Sequence, residues 1–97
     1  MKKIKLISLV SVFALSLYSY AQNDISGTIT DKDGNPIPGA TIIIVGTTTG
    51  ATSDFDGNYT ISASEGQSLE FSSLGFSTLT VEVGNLSTIN ISLEESS

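Results

Sequence analysis

The sequence predicts an all-β fold, a seven-stranded immunoglobulin-like sandwich preceded by a signal peptide. Three observations carry this. Apolar residues alternate with Ser, Thr and Asn from Asp24 onward, a period of two and not 3.6. Clusters of Gly, Pro, Asn and Asp interrupt that alternation every ten or so residues, as turns between short antiparallel strands do. The chain opens with a basic, then apolar, then small-residue segment, the order of an export signal.

In that opening segment, Lys2, Lys3 and Lys5 precede an apolar run over residues 6–20, and Ser19 and Ala21 stand at the spacing a signal peptidase accepts. Residues 1–21 are therefore expected to be a signal peptide, and residues 22–97 the domain. A spanning helix needs about 20 apolar residues, and this run is shorter and broken by Ser8, Ser11, Ser16 and Ser19. No cysteine is present for lipid attachment.

The first strand covers residues 25–30, with Ile25 and Ile29 on one face, and ends at the turn Asp31-Lys32-Asp33-Gly34-Asn35-Pro36. Residues 41–45 contain Ile42, Ile43, Ile44 and Val45 in succession, too short for a helix and rich in β-branching, which suits a centrally buried strand. Residues 46–50 read as a loop, and a brief strand crosses residues 51–53. After the turn Asp54-Phe55-Asp56-Gly57, Tyr59, Ile61 and Ala63 alternate inward. Three further strands follow, carried by Leu69 and Phe71, by Leu79, Val81 and Val83, and by Ile89, Ile91 and Leu93. Seven short strands need two packed sheets to cover their apolar faces.

Of the chain's net charge of -6, the leader supplies three lysines, so residues 22–97 keep Lys32 alone against ten acids, a formal -9. Such a balance repels phosphate backbones and anionic headgroups, which argues against nucleic acid and against direct membrane insertion of the mature domain. With neither His nor Cys in the sequence, Ser-His-Asp and Cys-His nucleophile systems and ordinary zinc sites have no members. Asp54 and Asp56 are the nearest approach to an acid-base pair, but one turn of a small sandwich provides no pocket. No catalytic, cofactor-binding or metal-ligating residue is assigned, and the chain is not expected to be an enzyme.

Calcium is the more serious candidate ligand, because both Asp-x-Asp-Gly-Asn segments offer oxygens at alternate positions. Counted from Asp31, Pro36 falls where an EF-hand loop has glycine and Ile42 where it has the bidentate glutamate. Counted from Asp54, Glu65 falls at the glutamate position, but Tyr59 replaces the glycine. A tight turn, with Asp side chains bonding nearby amides and Gly at positive φ, accounts for both segments. Phe55, Tyr59 and Phe76 are the residues of a conceivable aromatic patch for a sugar, with Tyr59 assigned by alternation to the core and Phe55 to an exposed turn.

Taken in order, Gly27-Thr28-Ile29-Thr30-Asp31, then Asp33-Gly34-Asn35-Pro36-Ile37-Pro38-Gly39-Ala40-Thr41-Ile42, then residues 46–59 from Gly46 to Tyr59, resemble the carboxypeptidase-regulatory-like domain. More narrowly, the Leu-x-Phe-Ser-x-x-Gly-Phe stretch of residues 69–76 is similar to the version at the N-terminus of SusC/RagA-type TonB-dependent outer-membrane transporters. The resemblance implies a transthyretin-like sandwich in the periplasm, associated with the outer membrane, ahead of a plug and barrel importing glycans or peptides. Its partners would be the plug, barrel and periplasmic components of that uptake complex, met through an edge strand or the loop of residues 46–50. A barrel of about 22 strands at about ten residues each exceeds this length more than twofold, so the chain is expected to be the accessory module without plug and barrel. The alternative is a stand-alone secreted adhesion or carbohydrate-binding module, with the Thr-rich loop and Phe55 as its contacts.

Overall fold

A computed structural model describes residues 22–96, so the expected signal peptide of residues 1–21 lies outside the described residues. The strands are β1 (Gln22–Thr30), β2 (Thr41–Ile44), β3 (Gly50–Thr52), β4 (Asn58–Ser64), β5 (Ser68–Ser72), β6 (Leu79–Glu82) and β7 (Ile91–Ser92). They form a three-stranded sheet in the order β4-β1-β7 and a four-stranded sheet in the order β3-β2-β5-β6. The expected seven-stranded sandwich is the architecture found.

Alternation places one side of each sheet in the shared core. Ile25, Ile29, Tyr59, Ile61, Ala63 and Ile91 enter from the first sheet, and Ile42, Ile44, Leu69 and Phe71 from the second. The outer side of the first sheet is polar throughout, with Asp24 opposite Ser62, Ser26 opposite Thr60 and Thr28 opposite Asn58. That contrast fixes register, because a one-residue slip would exchange Ile25 and Ile29 for serines and threonines.

Three expectations need correction. The apolar run of β2 is buried on one face only: Ile42 and Ile44 are inside, whereas Ile43 and Val45 are 37% and 49% exposed, because only one side of this sheet has a partner layer. The strand is central within its sheet without being covered on both sides. Leu79 alternates with Val81 and pairs with Phe71, yet it sits at the sheet's open edge and remains partly exposed. Finally, not every pairing is antiparallel, since β7 runs parallel to β1, with Ile29 opposite Ile91 and Thr30 opposite Ser92.

That parallel contact is irregular in an informative way. Ser26 N–H donates to Ser87 O at 3.0 Å, and Ile89 N–H donates to Ser26 O at 2.9 Å. At the next rung the backbone acceptor is replaced by a side chain, Asn90 Oδ1, which takes Thr28 N–H at 2.9 Å. The Ile89 carbonyl instead receives the Tyr59 hydroxyl, whose O–H donates to it at 2.6 Å. Tyr59 also stands edge-on to Phe71, ring centroids 5.4 Å apart, so one side chain ties both sheets and the last segment together.

Burial pushes the Tyr59 phenol up from 10.0 to about 12. In the unfolded chain it ionises near pH 10, while in the folded chain it holds its proton to about pH 12. Its contribution is therefore complete below pH 10 and is lost as pH rises through 12. Tyr59→Phe removes the hydroxyl bond and should cost about 1 kcal/mol near neutrality. Urea melts of both proteins across pH 8 to 12 should show that difference shrinking above pH 10; a constant difference would contradict a protonated, buried phenol.

Candidate interaction surface

The two Asp-x-Asp-Gly-Asn segments adopt the same turn. Asp31 Oδ1 accepts from the N–H groups of Asp33 and Asn35, each at 2.9 Å, and Asp54 Oδ1 accepts from those of Asp56 and Asn58, also at 2.9 Å. Each is closed by matching backbone bonds, Asp31 to Asn35 and Gly34 to Asp31 in one, Asp54 to Asn58 and Gly57 to Asp54 in the other. The amide of Asn35, joined by that of Asp33, holds the Asp31 carboxyl below its ordinary value. The expected Asx-type turn thus uses one oxygen of each leading Asp to organise the backbone. Among the described residues, no three His, Cys, Asp or Glu side chains converge as a metal-ligand group.

The glycines of these twin turns do different work. Both have positive φ, 85° at Gly34 and 77° at Gly57. Around Gly34 a Cβ would find open space, whereas at Gly57 it would lie 2.5 Å from Ile29 O and 3.1 Å from Pro36 Cβ. Gly57 also accepts from Ile29 N–H at 2.8 Å, which seats the second turn against β1. Gly34→Ala should cost about 1 kcal/mol from the left-handed backbone alone. Gly57→Ala should cost about 2 kcal/mol, because the close contact adds to the same strain, and thermal melts of the two variants check the order.

Between the turns runs the crossover that carries the chain from one sheet to the other. Pro36 bridges Thr30, Ile37 N–H donates to Ile29 O at 2.9 Å, and the Ile37 side chain is buried. Ser53, 6% exposed, is the buried polar residue among those described, and its hydroxyl anchors this crossover. Its Oγ–H donates to Ile37 O at 2.7 Å while Oγ accepts from Ala40 N–H at 2.9 Å. The residue was not singled out from sequence, since a Ser at a strand end between Thr52 and Asp54 carries no local mark of burial.

The three aromatic residues do not assemble into a patch, in keeping with the assignment of Tyr59 to the core and Phe55 to an exposed turn. Tyr59 is in the core as alternation predicts, Phe76 is half-buried against it, and Phe55 stands 90% exposed by itself. The Thr-rich loop folds onto its own backbone: Thr47 Oγ1 donates to Ile44 O at 2.8 Å, and Thr49 N–H donates to Thr47 Oγ1 at 3.1 Å. It lies at the end of the sandwich opposite to Phe55, because Ile43 pairs with Gly50 while Thr41 pairs with Thr52.

The Phe55 end gathers several features. Thr41, Thr52 and Ser72 share a register position there, with Leu79 beside Phe71 one step along. Leu74, fully exposed, projects from the turn after β5, two strands away from the turn bearing Phe55. A depression of about 310 Å³ is lined by Pro38, Gly39, Ser53, Asp54 and Phe55, and another of about 290 Å³ by residues that include Leu79, Leu93 and Glu94. The last described residues close this end, with Ser77 N–H donating to Glu94 O and Ser96 N–H to Gly75 O. The two depressions are open and offer shallow contact area.

The family model described as the CarboxypepD_reg-like domain matches residues 25–97, which contain the sandwich from the first core isoleucine onward. Among curated proteins, the chain is 38% identical over 96 residues to TonB-dependent receptor P3 of Formosa agariphila, covering 96% of this chain and 10% of that receptor. It is 38% identical over 77 residues to TonB-dependent receptor SusC of Bacteroides thetaiotaomicron, covering 78% of this chain and 8% of the other. TonB-dependent receptor P26 of Formosa agariphila is 44% identical over 70 residues, covering 72% of this chain and 7% of that one. The chain thus spans a tenth or less of the length of these relatives. Among solved structures, a chain of a type II cohesin–X–dockerin complex from Acetivibrio cellulolyticus superposes with a TM-score of 0.56 at 25% identity, covering 72% of this chain and 51% of that one.

Proposed function

This chain belongs to the CarboxypepD_reg-like domain family, and from that premise we propose that it is a non-catalytic, periplasmic accessory domain of the SusC/RagA-type TonB-dependent uptake machinery of the outer membrane. Residues 1–21 export it and are removed, leaving Gln22 at the start of β1. Its partners are the plug, barrel or periplasmic components of a transporter that imports glycans or peptides. The observation that carries this reading is the 38% identity to a TonB-dependent receptor over 96 residues, a stretch that takes in all seven strands, both twin turns and the crossover between them.

The test is a chimaera in which residues 22–97 replace the matching segment of receptor P3, with growth on that receptor's own substrate as the readout. The chimaera is expected to grow as the parent does, while a receptor with the segment deleted is impaired. A chimaera no better than the deletion overturns the reading. The second reading, a stand-alone adhesion or carbohydrate-binding module, draws on the exposed ring of Phe55 and predicts that second outcome.

A further inference from the structure

The Phe55 end of the sandwich combines exposed apolar side chains with a concentration of negative charge. Phe55 and Leu74 are the two most exposed large hydrophobic residues described, and both stand on turns where no core contact requires a large side chain. The strands that lead into their turns, β3 and β5, are two positions apart in the sheet, about 10 Å between strand axes. The depression lined by Pro38 and Gly39 adjoins Phe55. Around them lie Asp31, Asp33, Asp54 and Asp56 of the twin turns and Glu94 and Glu95 of the final segment, six of the ten acids in the sequence. Lys32 is the single cation among them, since the other three lysines belong to residues 1–21.

An apolar centre with an acidic rim matches a surface that presents lysine or arginine around an apolar socket, and excludes a second copy of this acidic chain. Chain direction identifies where such a surface would come from. Gln22 starts at the opposite end, paired with Ser64, whereas Glu95 pairs with Phe76 and Ser96 bonds Gly75 beside Leu74. In the matched receptors nine-tenths or more of the polypeptide lies outside the similar segment, and any polypeptide continuing past Ser96 would leave from this end.

We propose that this end, with Phe55 and Leu74 as apolar contacts inside the acidic rim, docks a cationic surface in the remainder of a TonB-dependent receptor. The identity of the partner rests on the accessory-domain reading; the location of the contact rests on the exposure and charge of this chain.

The probe is receptor P3 lacking its matching segment, held in detergent and titrated into the isotope-labelled mature chain, with amide resonances followed residue by residue. Resonances of residues 53–56, 73–77 and 94–96 are expected to move. Phe55→Ser combined with Leu74→Ser should weaken binding at least about tenfold, as should Asp33→Asn combined with Asp56→Asn, and added salt should act in the same direction. These side chains are exposed, so the variants should melt with the parent, and Val45→Ser with Leu86→Ser at the opposite loops should bind normally. Shifts confined to residues 45–49 and 82–86, no binding, or movement of the Phe55 resonance by maltohexaose but not by the receptor would each overturn the proposal. If the growth chimaera succeeds and still succeeds with Phe55→Ser and Leu74→Ser, the docking face falls while the accessory-domain reading stands. If the chimaera fails, that reading falls, and the titration alone decides the docking face.

Discussion

Gly27→Ala is expected to destabilise the domain by about 3 kcal/mol, the upper part of the range for an overpacked core, through one methyl group. The cause is the path of residues 87–91 across β1. A Cβ at Gly27 would overlap the Ile89 carbonyl oxygen and lie 3.1 Å from Tyr59 Cε1. That carbonyl cannot retreat freely, because it receives the Tyr59 hydroxyl and its strand is held on either side by the Ser26 and Thr28 bonds. Backbone would have to move, taking the β1–β7 contact with it. A domain of this size has a total stability of about 4 to 11 kcal/mol, so the loss is a large share of the whole. Chemical denaturation should reveal it, and the variant should also lose hydrogen-exchange protection first at Ile89 and Leu93. A variant as stable as the parent would mean that residues 87–91 do not press on β1 as described.

Ser53→Ala is expected to cost a comparable amount, about 3 kcal/mol, for a different reason. Nothing is overpacked; instead the Ile37 carbonyl and the Ala40 N–H lose their shared partner inside the protein, each at about 1 to 3 kcal/mol. The backbone bonds from Ser53 N–H to Ala40 O and from Gly39 N–H to Ser53 O remain, so the crossover should loosen without detaching. Ser53→Thr keeps the hydroxyl and should recover part of the stability, which separates a lost hydrogen bond from a mere packing defect. Equal losses in Ser53→Ala and Ser53→Thr would count against the anchoring role. Because Ser53 borders the Phe55 depression, weakened docking at that face should accompany the stability loss in Ser53→Ala.

Legibility in the sequence depended on how local the cause was. The twin turns could be read residue by residue, because Asp31 and Asp54 bond amides only two and four positions away. Tyr59 could be placed in the core from its phase with Ile61 alone. Phe55 could be placed outside because it falls within a turn. The apolar run of β2 misled for a physical reason: β-branched residues favour an extended strand whether or not both faces are covered, so Ile43 and Val45 reported strand and not burial. Similarly, Leu79 keeps the alternation of its strand while sitting where the sheet ends.

What the sequence by itself determined is everything set by neighbours along the chain: strands of period two, turn chemistry at Asp31 and Asp54, the acidic balance, and the absence of the His and Cys that Ser-His-Asp, Cys-His and ordinary zinc sites require. Tertiary structure decided the rest, because it alone brings distant residues into contact. Ile89 meets Gly27 across 62 positions, Ser53 meets Ile37 across 16, and the parallel β1–β7 pairing follows from where residues 87–93 land. Only that folding also collects Phe55, Leu74 and six acids at one end, since loops far apart in sequence share an end whenever antiparallel strands return the chain to it.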